Sequence, residues 1–225
     1  LRKFGVTSNI PNYPSIFLGA VDMSPMEILN IYGNFATGGF KYPNRSIRSV
    51  VDSDGRLLER YGLNVQTTID PEYAYLLNYG LQQVMSSGTG KSAYNSLPST
   101  LKLAGKSGTT NDMRDSWFAG YSGNHLAVVW LGLDNNKTTG LTGSTGALPV
   151  WTNVMQQLRQ QPVNLRQPTD VQWQWIDINS GELSAEGCEG ASYMPLLRRT
   201  IPRRATACGF SHYEVAPPSY NENAE

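Results

Sequence analysis

The stretch Leu103-Ala-Gly-Lys-Ser-Gly-Thr-Thr110, with Ser116-Trp-Phe-Ala-Gly-Tyr121 and Leu126-Ala-Val-Val-Trp-Leu-Gly-Leu133 close behind it, decides the fold. Three β-rich segments, Leu101 to Thr109, Ser116 to Tyr121 and Leu126 to Leu133, are joined by connections too short for a crossover. Ser122-Gly-Asn124 supplies the turn between the last two, so a sequential antiparallel meander follows. Alternation along the first strand puts Ser107 and Thr109 on one face, where two hydroxyls can hold one carboxylate. Gly108 lets a ligand backbone lie against the strand without a Cβ in the way. The Thr109 backbone N–H is then free to face a developing oxyanion, and Lys106 brings a positive charge beside it. Taken alone, the same residues read as a polar strand end.

Working outward, Ser24-Pro-Met-Glu27 is a helix start. Ser24 caps, Pro25 takes the first helical position, and Glu27 closes a capping box. Apolar residues then recur at helical spacing to Phe35, and Gly38-Gly39 ends the run. Ile47 to Val51, the turn Asp52-Ser-Asp-Gly55 and Arg56 to Leu58 form a hairpin. Asp70-Pro-Glu72 opens a second helix that stops at Gly88. A third, around Leu148 to Gln160, packs back on the sheet. Gln160-Gln-Pro162 and Gln167-Pro168 read as a linker. Beyond Asp170 the character changes to a short strand with Trp173 and Trp175, a turn at Asn179-Ser-Gly181, and a loop-rich stretch between Cys188 and Cys208. The expected class is α+β, an antiparallel sheet packed by helices and followed by a small β-rich module. The expected divisions are 1–165, 166–216 and a disordered tail at 217–225.

Composition narrows the function. The 225 residues are 40% hydrophobic, and 18 basic side chains cancel 18 acidic ones. A neutral, sparsely charged surface gives no electrostatic reason to expect nucleic acid. The longest apolar run, Leu126 to Leu133, falls far short of the roughly 20 residues that span a bilayer. Two histidines and two cysteines make a structural zinc site a poor reading, and no nucleotide-binding fingerprint is present. No metal or organic cofactor is expected.

The blocks occur in a telling order. Leu18-Gly-Ala20 and Met23-Ser-Pro-Met-Glu27 come first, then Gly88-Thr-Gly90, Lys106-Ser-Gly-Thr-Thr110 and Asp115-Ser-Trp-Phe-Ala-Gly-Tyr121. Trp130-Leu-Gly-Leu-Asp-Asn135 and Gly143-Ser-Thr-Gly-Ala147 complete the series. From Leu1 to about Leu165 the ensemble resembles the transpeptidase domain of class A penicillin-binding proteins, the 1B branch in particular. The resemblance implies a peptidoglycan synthase whose transpeptidase domain is acylated by D-Ala-D-Ala stem peptides and by β-lactams. It further implies a glycosyltransferase domain and a membrane anchor upstream, lipid II as a substrate, and a place on the periplasmic face of the bacterial inner membrane. In that light Lys106 and Thr109 are the catalytic candidates, and Ser107, Gly108, Thr109 and Thr110 the substrate-binding ones. Ser107 stands where threonine is more usual, which keeps the hydroxyl.

The family also needs a Ser-x-x-Lys nucleophile motif and a Ser-x-Asn motif ahead of this strand. Ser99-Thr-Leu-Lys102 feeds directly into the strand, where a one-turn helix is not expected to fit. Ser122-Gly-Asn124 and Ser219-Tyr-Asn221 follow the strand, so all three read as chance matches. The serine is therefore expected upstream of Leu1, which itself reads as a cut through a larger protein. A class A β-lactamase-like hydrolase, or a non-catalytic module that docks on peptidoglycan or a partner, remain the alternatives.

Among lesser candidates, Asp115 and Trp117 line the cleft or serve as turn acid and core aromatic. Thr89 serves the cleft or ends the helix. Arg198, Arg199, Arg203 and Arg204 form a solvated face or meet an acidic partner or lipid headgroups, and cell-wall regulators are the partner class expected for the module. Trp173 and Trp175 form a small core or a sugar platform. Cys188 and Cys208 suit a disulfide stapling the loop-rich module, which fits the periplasmic setting, or two reduced thiols.

Overall fold

The computed structural model describes residues 1–210. His212, Ser219-Tyr-Asn221 and the expected tail at 217–225 lie outside the described residues. Among the described residues two compact units emerge, Leu1–Arg166 and a second that begins at Gln167.

In the first unit, α1 spans Pro25–Ala36 with Ser24 and Glu27 forming the reciprocal capping box. The short strand β1 (Phe40–Lys41) follows, then β2 (Ser49–Val51) and β3 (Leu57–Arg60), paired as the expected hairpin. Asp52 Oδ1 closes its turn by accepting from the Asp54 and Arg56 N–H groups. Strand β4 (Gln66–Thr67) returns to pair with β1. Helix α2 (Pro71–Ser86) buries Ala74, Asn78, Leu81 and Met85, a spacing of four, three and four that makes one stripe.

That stripe lies on a three-stranded antiparallel meander, β5 (Ala104–Thr109), β6 (Ser116–Tyr121) and β7 (Leu126–Leu131), in that spatial order. Its register pairs Lys106 with Ala119, Ser107 with Phe118 and Thr109 with Ser116. One face of the sheet packs Phe118, together with Leu103, against Leu148, Trp151 and Met155 on the apolar side of α3 (Leu148–Gln156). Trp151 carries its polar edge inward safely, because its Nε1–H donates to the Gly120 and Ala127 carbonyls. The opposite face sets Ala104 and Tyr121 against Leu81, Val163, Tyr32 and Phe35. Tyr121 is fully buried and its hydroxyl donates to Asn78 Oδ1 at 2.6 Å. Asn78 in turn donates to the Phe35 and Ala74 carbonyls, tying both helices to the sheet.

Three expectations need correcting. A helical turn does fit ahead of β5, since Ser99–Leu101 form a 3-10 turn. It ends at once because Lys102 takes a left-handed φ of +48°, so strand geometry begins at Ala104 rather than Leu101. The third helix stops at Gln156 and is preceded by a π-helical turn over Gly143–Ala147. Gln160-Gln-Pro162 is no linker. Gly123 N–H donates to the Gln161 carbonyl, Gln161 N–H to Asn124 Oδ1, and Val163 N–H to the Leu101 carbonyl. Ser122-Gly-Asn124 is thereby accounted for as a structural turn, with Ser122 Oγ accepting from the His125 N–H.

The second unit is built on β8 (Val171–Asp177) and β9 (Ala191–Leu197), an antiparallel pair. Trp173 and Trp175 share a face, as alternation requires, and both rings pack on Tyr193, with centroids 5.2 and 5.1 Å away. Ile178 lies past the strand and is exposed. Val171, Ile176, Ala185 and Leu197 are buried. Cys188 and Cys208 are joined in a disulfide, and a short helix, α4 (Ala207–Phe210), begins beside the second of them.

Candidate functional site

β5 is an edge strand of its sheet, and its hydrogen-bond phase decides which of its N–H groups the sheet leaves unpaired. Thr110 N–H pairs with the Asp115 carbonyl across the turn into β6. N–H groups alternate in direction along an antiparallel strand, so those of Gly108 and Lys106 face β6 while those of Thr109 and Ser107 face the free edge. The Thr109 amide thus stands unpaired by the sheet. Side chains alternate the other way. Lys106 shares a face with Ala119 and Trp117, whereas Ser107 and Thr109 share the face of Phe118 and Ser116. Lys106 is exposed, and its Nζ donates to the Ser107 carbonyl at 2.8 Å.

Both hydroxyls of this strand are held from behind. The Gly143 N–H, at the start of the π-helical turn, donates to Thr109 Oγ1 at 2.9 Å. Gly143 must be glycine for that approach. A Cβ there would sit 2.6 Å from the Trp117 carbonyl oxygen and 2.7 Å from that of Gly108. Ser107 Oγ lies 2.7 Å from Thr89 Oγ1, in the Gly88-Thr-Gly90 loop. Both readings of Thr89 therefore meet, since the loop ends α2 and its hydroxyl touches the site.

On the Lys106 face an open groove of about 610 Å³ runs between β5, β6 and the segment that leads into α1. Val21, Met23, Ile28 and Tyr32 line one wall, Trp117 and Trp130 the other. The two indoles pack with centroids 6.0 Å apart. Asp115 fixes this corner, accepting from Trp130 Nε1 at 2.9 Å and from Thr110 Oγ1 at 3.0 Å, while its own N–H donates to Thr110 Oγ1. It is thus a turn acid that also orders the groove, and Thr110 serves that turn with its hydroxyl. Burial pushes the Tyr32 phenol up to about 12 and raises that of Tyr121 further, so both remain neutral donors at ordinary pH.

The segment before α1 is fixed by Glu27, of which the sequence discloses only the capping role. Besides Ser24, its carboxylate accepts from the backbone N–H and hydroxyl of both Thr7 and Ser8. Those bonds, led by that from the Ser24 backbone, hold its carboxyl far below the usual range. No residue pattern announces that Thr7 and Ser8 return to the start of α1. The Trp130–Asp115 contact was more accessible, since strand register alone sets Trp130 opposite Trp117.

Among the described residues no cluster of histidine, cysteine, aspartate and glutamate is placed to hold a metal, and no helix is long and apolar enough to cross a membrane.

The family model described as the penicillin binding protein transpeptidase domain matches residues 8–156. The chain is 38% identical over 173 residues to penicillin-binding protein 1B of Buchnera aphidicola (subspecies Acyrthosiphon pisum), covering 76% of this chain and 22% of that protein. To penicillin-binding protein 1B of Haemophilus influenzae it is 32% identical over 216 residues, 96% of this chain and 26% of that one. The crystal structure of penicillin-binding protein 1A from Haemophilus influenzae superposes with a TM-score of 0.82 at 22% identity, over 91% of this chain and 36% of that chain. The α+β class is the same in both folds. The chain spans about a quarter of the length of the curated relatives it matches.

Proposed function

The chain belongs to the penicillin-binding protein transpeptidase family, and from that premise we propose that it supplies the substrate-binding strand of a class A, 1B-like serine D-Ala-D-Ala transpeptidase. The observation that carries this reading is the edge strand β5, with Lys106 on one face, two supported hydroxyls on the other, and the Thr109 N–H at the free edge.

The chemistry follows from those groups. A serine of the parent protein, in a segment outside these 225 residues, attacks the penultimate D-Ala carbonyl of a stem peptide. Negative charge collects on the carbonyl oxygen and is stabilised by the Thr109 N–H, a contribution of several kcal/mol in comparable sites. Ser107 and Thr109 hold the terminal carboxylate, which orients the peptide along β5. Lys106 keeps a positive charge beside the anionic substrate and the attacking serine. The C–N bond breaks, D-Ala leaves as an amine that takes up the serine's proton, and the acyl group passes to an amine of a neighbouring peptide. A β-lactam enters the same way, its carboxylate taking the place of the peptide's.

In this reading the catalytic residues of the chain are Lys106 and Thr109. Ser107, Gly108, Thr109 and Thr110 bind substrate, Thr110 by shaping the end of β5. The parent also polymerises glycan strands from lipid II, is anchored in the inner membrane, and works on its periplasmic face, a setting that suits the Cys188–Cys208 disulfide. The transpeptidase part takes residues 1–165 and the β module begins at 166, and that module is a site for cell-wall regulators.

Gel fluorescence with a labelled penicillin tests the assignment. The full-length parent is expected to become covalently labelled, and residues 1–225 alone are not. Labelling of the isolated chain would disprove the external nucleophile, and a parent that never labels would overturn the transpeptidase reading in favour of a docking module.

A further inference from the structure

We propose that Thr89 is a positioning residue for the substrate carboxylate, donating its hydroxyl proton to Ser107 Oγ and so turning the Ser107 proton toward the ligand. The inference rests on the carboxylate-binding role given to Ser107 above.

Proton counting carries the argument. Each hydroxyl has a single O–H to donate. Thr89 Oγ1 and Ser107 Oγ lie 2.7 Å apart, and either can be the donor. A carboxylate is an acceptor only, so Ser107 can serve it only if its own proton is not spent on Thr89. Binding therefore selects one direction, Thr89 O–H to Ser107 Oγ, then Ser107 O–H to carboxylate. In such a chain the first bond strengthens the second by polarisation. Thr109 repeats the pattern with its direction built in, because Gly143 offers a backbone N–H that can only donate to Thr109 Oγ1. The two ligand-facing hydroxyls, two residues apart on one face, are each backed by a donor.

Thr89 is also held in place by more than its own bond. A Cβ on Gly88 would lie 2.9 Å from Val84 Cα, and one on Gly90 2.5 Å from Met85 Sδ. Both flanking residues are thus pressed onto the end of α2, whose Met85 is fully buried. Ending the helix does not require the threonine side chain. The bonds that do so run from the Gly88 N–H to the Gln83 carbonyl and from the Gly90 N–H to the Val84 carbonyl. Thr89 is itself exposed, so packing gives no separate reason for its hydroxyl to point at β5.

The test uses the full-length parent with Thr89→Val, which keeps the shape and removes the O–H, and Thr89→Ser, which restores it. Acylation rates are measured with a labelled penicillin bearing a free carboxylate and with the methyl ester of the same compound. Thr89→Val should slow acylation by the free acid about 3- to 10-fold, the worth of one hydrogen bond. The ester rate should stay within twofold, and Thr89→Ser should recover the free-acid rate. An unchanged free-acid rate in Thr89→Val overturns the proposal, as does an equal loss with the ester or a failure of serine to rescue. A wild-type parent that takes up neither compound overturns the transpeptidase reading along with this one, and that result is read before any variant is compared.

Discussion

Replacing Gly143 by alanine is the perturbation that probes the site's architecture most directly. The added methyl would sit 2.6 Å from the Trp117 carbonyl oxygen, 2.7 Å from that of Gly108 and 2.8 Å from Ser107 Cβ. Two of these are backbone atoms of paired strands, which cannot swing aside as a side chain tip would, so the π-helical turn must move. Overpacking of this kind costs roughly 1–3 kcal/mol. Displacing the turn also loses the Gly143 N–H bond to Thr109 Oγ1, about 1 kcal/mol more. The sum, roughly 2–4 kcal/mol, corresponds to a fall in melting temperature of about 5–15 °C for a unit of this size. Circular dichroism melts of the 225-residue chain measure it. Gly80→Ala is the matched control, because Gly80 lies in α2 with nothing within 4 Å of an added Cβ. There alanine should raise stability by about 0.5–1 kcal/mol through better helix propensity. A Gly143→Ala melt within 1 °C of wild type, with the control behaving as expected, would refute the claim that the turn is wedged against β5.

Two further outcomes follow from the packing and the carboxylate. Tyr121→Phe removes the donor to Asn78 Oδ1 in a site where both residues are buried, so urea unfolding should show a loss of about 1–3 kcal/mol. A loss below about 0.5 kcal/mol would mean another donor replaces it. Glu27 has a folded pKa held below its unfolded value of about 4.3, so its contribution is complete above that value and is lost as pH falls through the folded pKa. Wild-type stability should therefore decline between about pH 5 and 2, and Glu27→Gln should flatten that part of the curve, as acid titrations followed by denaturant melts would reveal. A variant as acid-sensitive as wild type would assign the effect to other carboxylates.

Much of the architecture is local and was therefore legible in the residues alone. Ser24, Pro25 and Glu27 specify a helix start through contacts within four positions. Asp52 shapes its turn with its own side chain. The connections after β5 and β6 are too short for anything but an antiparallel meander, and period-two alternation then puts Ser107 and Thr109 on one face. Element ends were less legible, because they depend on competition. Lys102 adopts a left-handed φ and starts β5 late, while Gln160 to Val163, polar enough to pass for a linker, is bound down by Asn124, Gly123 and Leu101.

What the tertiary structure alone decided is which groups stand behind β5. Thr89, Gly143 and Asp115 lie 18, 34 and 5 residues from the residues whose hydroxyls they meet. Only the last of these separations is short enough for local geometry to impose. Sequence by itself determined that a strand exists with Lys106 on one face and the hydroxyls of Ser107 and Thr109 on the other, because alternation acts between neighbours. Packing determined that Thr109 Oγ1 accepts from the Gly143 N–H and that Ser107 Oγ meets Thr89 Oγ1. Those properties depend on how α2 and the turn before α3 come to rest against β5.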